Sequence, residues 1–236
     1  MNHQISIASR FNGPPGSGNG GYSCGTLAAY LPGVTRVRLH APPPLDKPMQ
    51  VSETDGEVQL HDGETLVGSA VSVQLDMVIP DAPSLAEAEQ ASKGFLCFED
   101  HSYPTCFVCG PGREGNDGLC LYPGPVKDWN LLACVWRPGA DLLDDTGMVR
   151  PEFVWSALDC PGFFAAVGED LLPTLLGELI ADLKHPVPGS EPLVVFSWPM
   201  GREGRKLRGG VAIANQDGHV LACSQTTWIA LRQEPA

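Results

Sequence analysis

Residues 149–167, with the sequence VRPEFVWSALDCPGFFAAV, constrain the fold of this chain more than any other stretch. The pattern predicts a helix without a polar face, since Pro151 suits a first helical position and Gly168 a helix stop. A helix that is apolar on all sides is buried. Its central carboxylate, Asp159, therefore needs a hydrogen-bonding partner or a chemical use. Pro161 lacks the N–H of a continuous helix, which predicts a kink just past Asp159.

Two roles are open to Asp159 at this point. Burial raises the pKa of a carboxyl group, which suits a general base or a nucleophile. A core carboxylate that is satisfied by backbone N–H groups is the other interpretation. The stretch itself does not decide between them.

A second buried helix is predicted near the start of the chain. The loop 12–21, NGPPGSGNGG, has almost no side chains and leads into small and apolar residues up to Leu31. Asn19 is a suitable N-cap for this helix. A glycine-rich loop at a helix start can direct backbone N–H groups at a bound oxygen or anion. The dinucleotide-binding fingerprint does not fit, because no strong strand precedes the loop and no βαβ unit follows it.

The rest of the chain is dominated by strand patterns. Asp55-Gly56 and Asp62-Gly63 are hairpin signals, so successive strands should pair antiparallel. Residues 81–94 read as a linker, in which Ser84 to Glu87 form a capping box that predicts a short surface helix. The predicted strands are 5–8, 34–39, 49–52, 57–60, 65–75, 131–136, 176–187, 193–198, 206–214 and 220–231.

The sequence contains an internal repeat. The segment that begins Leu39-His40-Ala41-Pro42 matches the one that begins Leu183-Lys184-His185-Pro186, at an offset of 144 positions, and the later strands follow in the same order. Chance similarity between β-rich segments is the alternative, but the shared order and proline spacing favour duplication. The predicted organisation is an N-terminal repeat in residues 1–80, a linker in 81–100 and a C-terminal repeat in 101–236.

Three short motifs resemble the hotdog-fold thioesterase superfamily, in particular its phenylacetate-pathway type. They are CFVCGP at 106–111 leading to GLCL at 118–121, Asn19-Gly20-Gly21 at the first helix, and Ala157-Leu158-Asp159 in the second. The resemblance implies an α+β double hotdog. In that fold, two long buried helices would each be wrapped by a curved antiparallel sheet, giving two sheets.

The resemblance also implies a composite site. In single-domain relatives, a backbone N–H at one subunit's helix start polarises the thioester carbonyl, and a carboxylate from the other subunit's helix acts as base or nucleophile. In the family, the carboxylate follows the donor glycine by eight residues. Counting forward from Gly20 leads to Ala28, which has no carboxylate. Counting back from Asp159 leads to Pro151, which has no N–H. One site should therefore survive, formed by Gly20 or Gly21 and Asp159.

Further side chains are predicted to bind substrate. Asn19 stands where the family has His and should affect positioning. Tyr22 and Trp155 are candidates for the acyl pocket, with core packing as the alternative. Gln225 and Thr227 share one face of the last strand. They are candidates for orienting water, with a solvent-facing role as the alternative.

The predicted function is that of an acyl-CoA thioesterase-like hydrolase. Its ligand would be a small-molecule thioester of the CoA type, and no cofactor is expected. The alternative is a non-catalytic acyl-CoA- or lipid-binding hotdog protein. A homodimer of double-hotdog chains also fits the resemblance.

Charge and hydropathy limit the kinds of partner and the compartment that are expected for this chain. The net charge of −13 argues against nucleic acid and anionic membranes. The sequence has no apolar run of about 18 residues, so no membrane span is predicted. Residues 1–10 lack the apolar core of a signal peptide. Eight cysteines without a signal then predict a cytoplasmic protein with free thiols.

Two other features of the sequence are candidate binding sites. Cys106 and Cys109, with His101 and Cys120, could bind zinc, but a second half-site is missing, so neither metal nor disulfide is predicted for the first two. The basic cluster at 201–208 could hold a CoA phosphate or be a solvated loop.

Overall fold

The computed structural model describes residues 3–231. The first two residues of the predicted N-terminal repeat and the last five of the predicted C-terminal repeat lie outside these residues. Within residues 3–231 there are four α-helices and eleven strands. The helices are α1 (Gly20–Ala28), α2 (Leu85–Ser92), α3 (Pro151–Ala157) and α4 (Cys160–Val167). The strands are β1 (His3–Ser6), β2 (Thr35–Leu39), β3 (Pro48–Thr54), β4 (Glu57–Asp62), β5 (Thr65–Ser72), β6 (Gly124–Pro125), β7 (Leu132–Trp136), β8 (Thr174–Leu183), β9 (Leu193–Glu203), β10 (Lys206–Ala214) and β11 (Val220–Ala230).

All these strands belong to one antiparallel sheet with the order β1-β3-β4-β5-β2-β8-β11-β10-β9-β7-β6. The expectation of two separate sheets is therefore corrected. β2 pairs with β8 from Thr35 opposite Ala181 to Arg38 opposite Glu178, and this pairing makes the sheet continuous. Pairing in this way satisfies two strand edges that separate sheets would leave exposed.

The two halves of the sheet have the same strand order. From the outer edge to the centre, the first half runs β1-β3-β4-β5-β2 and the second runs β7-β9-β10-β11-β8, with β6 added outside β7. In each half, the helical segment lies between the first two strands in sequence. The large antiparallel sheet with few helices agrees with the α+β prediction.

The second buried helix is two short helices. α3 ends at Ala157 and α4 begins at Cys160, so the predicted long helix is interrupted at Leu158 and Asp159. Pro161 lies in the first turn of α4, where its missing N–H leaves no helical bond unmade. The predicted kink is therefore a full break, and Asp159 occupies the junction.

The helices cover the sheet at different places. α1 packs on β2 and β5 and against α3, whereas α4 packs on β9 and β10. The predicted capping box is confirmed, because Ser84 Oγ accepts from Glu87 N at 3.3 Å and Glu87 Oε2 accepts from Ser84 N at 2.8 Å. Within residues 3–231, no helix has the length and apolarity that crossing a bilayer requires.

Candidate active site

Helices α1 and α3 pack closely along two glycines. A Cβ on Gly21 would lie 2.5 Å from Asp159 Cβ and 2.6 Å from the Trp155 carbonyl oxygen. A Cβ on Gly25 would lie 2.7 Å from Trp155 Cβ and 2.8 Å from Glu152 Cα. Such distances exclude any side chain, and the order of the contacts shows that the two helices run antiparallel. The start of α1 therefore lies against the end of α3, where Asp159 follows.

Asp159 is held by two donors from the other half of the chain. Its Oδ2 accepts from Gly21 N at 2.8 Å and from Asn19 Nδ2 at 3.1 Å. The residue is 2% exposed. Its other oxygen, Oδ1, is buried and has no hydrogen-bond partner within residues 3–231. One carboxylate oxygen is thus fixed and the other is free to accept a proton.

Asn19 connects the carboxylate to the helix start. Its Oδ1 accepts from Tyr22 N at 2.9 Å, which confirms the predicted N-cap of α1. Its Nδ2 group is the second donor to Asp159. The amide side chain therefore uses its acceptor for the cap and its donor for the site, a division that an ionised Asp, which only accepts, could not reproduce.

The environment of Asp159 raises its pKa to about 7. Burial is the main cause, because it disfavours the charged carboxylate. The nearby Cys106 raises the pKa further, whereas the hydrogen bonds from Gly21 and Asn19 lower it. A carboxyl group with such a pKa is well matched to proton transfer near neutral pH.

The N–H of Gly20 is the free backbone donor at this helix start. Gly20 is the first residue of α1, so its N–H has no acceptor inside the helix, and none is found elsewhere in residues 3–231. The Gly21 N–H is already used by Asp159. Of the two predicted donors, Gly20 is thus the one available to a ligand.

A cavity of about 530 Å3 opens at this place. Asn19, Gly20 and Asp159 line it, whereas Gly21 lies behind them. Most of the remaining wall is apolar, and includes Phe163, Phe164, Leu171, Leu172, Leu176 and Trp228. Within the described residues, no Lys or Arg side chain contributes to the wall. The cavity thus suits an uncharged apolar group next to a carboxylate.

Tyr22 and Trp155 do not line the cavity, contrary to the acyl-pocket expectation. The Tyr22 ring stacks on Phe11 with centroids 4.2 Å apart. Trp155 is 3% exposed and packs against α1 at Gly25. Both side chains project into the contact between the two halves, on helix faces that turn away from the cavity.

Gln225 and Thr227 do not line the cavity either. Side chains alternate between the two faces of β11. The side chain of Ser224, next to Gln225, faces the helices, since Ser224 Oγ donates to Leu158 O at 2.9 Å. Thr226 lies against the α4 residue Gly162. Residues of odd number here project from the opposite face of the strand. The structure therefore does not bring Gln225 and Thr227 to Asp159.

Three buried thiols adjoin the carboxylate, and the sequence analysis missed one of them. The sulfurs of Cys106, Cys109 and Cys160 lie within 4.8 Å of one another. Hydrogen bonds from the Cys109 and Cys160 thiols lower the pKa of Cys106. All three residues line the cavity. The signal that could have pointed to Cys160 is its place next to Asp159 in the sequence.

The fold is similar to that of solved thioesterase structures at low sequence identity. The TesB protein of Mycobacterium avium subspecies paratuberculosis is 11% identical, covers 98% of this chain and 93% of its own, and has a TM-score of 0.65. Acyl-CoA thioesterase II TesB2 from Mycobacterium marinum is 12% identical, with coverages of 98% and 93% and a TM-score of 0.63. A protein of unknown function with a hotdog fold from Alicyclobacillus acidocaldarius is 12% identical, with coverages of 99% and 94% and a TM-score of 0.63.

These similarities extend over nearly the whole chain and confirm the predicted resemblance at the level of the fold. No family model matches the sequence. The comparison with curated proteins gives no match.

Proposed function

We propose that this chain is an acyl-CoA thioesterase with one composite site, in which Asp159 and the Gly20 N–H act on the same thioester. The observation that carries the proposal is the 2.8 Å contact of Gly21 N with Asp159 Oδ2 at the wall of an apolar cavity. This contact joins residues from the two halves of the chain. The thioesterase structures with the same fold add support.

In the proposed reaction, the Gly20 N–H polarises the thioester carbonyl. A water held by the free Oδ1 of Asp159 attacks the carbonyl carbon, and Asp159 accepts the proton of that water. The tetrahedral intermediate then collapses, the C–S bond breaks, and Asp159 returns the proton to the leaving thiolate. The products are a carboxylic acid and the free thiol. Gly21 and Asn19 hold the other carboxylate oxygen in place throughout.

We also propose that the chain is a double hotdog made of a repeat in residues 1–80, a linker in 81–100 and a repeat in 101–236. The equal strand order of the two sheet halves supports this division. In this arrangement the second, pseudo-symmetric site pairs the end of α1 at Ala28 with the start of α3 at Pro151. It would lack both the acid and the donor N–H, so only one site per chain is expected.

The basic hairpin tip between β9 and β10 is proposed to meet the phosphates of the CoA group. Lys206 is opposite Ile229 in the pairing of β10 with β11, and Ile229 lines the cavity. Arg205 Nη1 donates to Ala230 O at 3.2 Å. The cations of the tip are therefore beside the cavity, whereas the acyl group would occupy its apolar interior.

The test is a panel of acyl-CoA esters of different chain length with a thiol reagent that reports released CoA. We expect turnover for at least one ester with the wild-type chain, and loss of that turnover in Asp159→Asn. Binding of all esters without release of thiol would contradict the hydrolytic function and favour a binding protein.

A further inference from the structure

Three cysteines from two distant segments form a compact buried cluster. Cys106 and Cys109 lie in the loop between α2 and β6, and Cys160 is the first residue of α4. Their side chains are only 3%, 4% and 8% exposed. All three are free thiols. Burial alone is common for free cysteines, which behave as small apolar side chains, so the close approach of three sulfurs is the informative feature.

The spacing of the sulfurs matches a metal site. Cys106 Sγ lies 3.8 Å from Cys160 Sγ, and all three sulfurs are within 4.8 Å of one another. A tetrahedral zinc ion with Zn–S bonds of about 2.3 Å separates its sulfur ligands by roughly 3.8 Å. A disulfide would instead require sulfurs about 2.05 Å apart.

The loop that holds Cys106 and Cys109 is a tight turn. The turn closes with Gly110 N donating to Cys106 O at 2.9 Å. It has no room for a side chain at Gly110, where a Cβ would lie 2.5 Å from Cys106 N. The turn therefore fixes the backbone that holds the first two ligands.

We infer that Cys106, Cys109 and Cys160 bind one thiolate-preferring divalent ion of the zinc class, with its fourth position facing the cavity. The sequence predicted no metal here because a second half-site was missing, and Cys160 now supplies the third ligand. The inference does not depend on the proposed hydrolysis. Its structural consequence is to tie the 106–110 loop to the start of α4.

The neighbouring polar groups do not supply a fourth protein ligand. His101 Nδ1 accepts from Tyr103 N at 2.9 Å, so the neutral imidazole carries its proton on Nε2 and offers no lone pair there. Cys120 donates to Gly118 O and lies outside the cluster. Asp159 is not part of the cluster of ligand atoms that lie within 4.8 Å of one another. Its Oδ2 is 3.9 Å from Cys160 Sγ and is already bound by Gly21 and Asn19. A water is therefore the expected fourth ligand.

The inference is tested on the full chain, purified under reducing conditions from zinc-supplemented cells and dialysed against metal-free buffer. Metal content by mass spectrometry should be about one equivalent per chain. Cys106→Ser and Cys160→Ser should each lower it at least about tenfold, because a three-thiolate site that loses a ligand binds far less tightly. Cys120→Ser is the matched control and should keep the metal. Asp159→Asn should also keep it, whatever happens to hydrolysis.

A second measurement covers variants that fail to fold. Cobalt added to the reduced wild-type chain after zinc removal should give the intense near-ultraviolet band of thiolate-to-cobalt charge transfer. The inference is overturned if the reduced, folded chain binds neither ion, or if Cys160→Ser keeps the metal. It is also overturned if Asp159→Asn loses the metal, or if the fresh protein has a Cys106–Cys160 disulfide instead of an ion. None of these measurements depends on hydrolysis. The metal inference and the proposed function can therefore fail separately.

Discussion

The N–H of Gly21 donates to Oδ2 of Asp159 across 2.8 Å, although the two residues are 138 positions apart in the chain. The contact requires that α1 approach α3 closely, and only glycine at position 21 allows this approach. It also leaves Oδ1 of the same carboxylate buried and without a partner within the described residues. A carboxylate that only stabilised the fold would be expected to have both oxygens bonded.

Asp159→Asn tests the role of this carboxylate directly. The amide keeps the shape and can still accept from Gly21, but it cannot take a proton from water. We expect kcat to fall at least about a hundredfold, with little change in the binding of a non-hydrolysable thioether analogue. The free energy of unfolding should not fall, because a buried ionisable group is replaced by a neutral one. Unchanged turnover in a folded variant would contradict the catalytic role.

Gly21→Ala tests the close approach of the helices. Its Cβ would clash with Asp159 and with the α3 backbone, so we expect a loss of about 1–3 kcal/mol in the free energy of unfolding together with a large loss of kcat. Gly25→Ala is the matched control, because its Cβ meets Trp155 and Glu152 on the same contact but not Asp159. Urea unfolding should show similar losses for both variants, whereas kcat per folded chain should fall only for Gly21→Ala. Equal loss of kcat in both would contradict a specific role for Gly21.

Much of the local structure could be predicted from the sequence. Asn19 as a helix cap and the capping box at Ser84 are short-range patterns, in which a side chain bonds a backbone group three residues away. The meeting of Asp159 with Gly20 and Gly21 was expected only through the family resemblance. The residues that make this contact are more than a hundred positions apart in the sequence, and no local pattern predicts such a contact.

Other features depend on packing that the sequence does not display. The pairing of β2 with β8 joins strands that are more than a hundred positions apart in the chain, and no local pattern specifies it. Tyr22 and Trp155 have the size of pocket residues, but the antiparallel helix contact turns them into the core. Cys160 is 54 positions from Cys106, so the thiol cluster had no spacing motif that could reveal it.

Asn19→Ser distinguishes the two roles of Asn19, which caps α1 and donates a hydrogen bond to Asp159. Serine is a good N-cap, so the free energy of unfolding should change by less than about 1 kcal/mol, as measured in urea. The shorter side chain loses the amide donor to Asp159 Oδ2, and kcat should fall severalfold because the carboxylate is positioned less firmly. Asn19→Ala is the comparison, since it removes the cap as well and should lose about 1 kcal/mol or more. If Asn19→Ser retains full kcat, the donor role of Asn19 is wrong.

Lys206→Glu tests how the CoA group is recognised. Lys206 is exposed at the hairpin tip and lies opposite the cavity residue Ile229 in the sheet. Reversing its charge should weaken attraction to the CoA phosphates, and since exposed charge contacts contribute only about 0.2–1 kcal/mol, KM for an acyl-CoA should rise a fewfold. The same acyl group on N-acetylcysteamine has no phosphates, so its KM should not change. The effect on acyl-CoA should also shrink at high salt, because exposed charges are screened. Equal effects on both substrates would show that the hairpin tip acts on the fold or on the acyl group, and not on the phosphates.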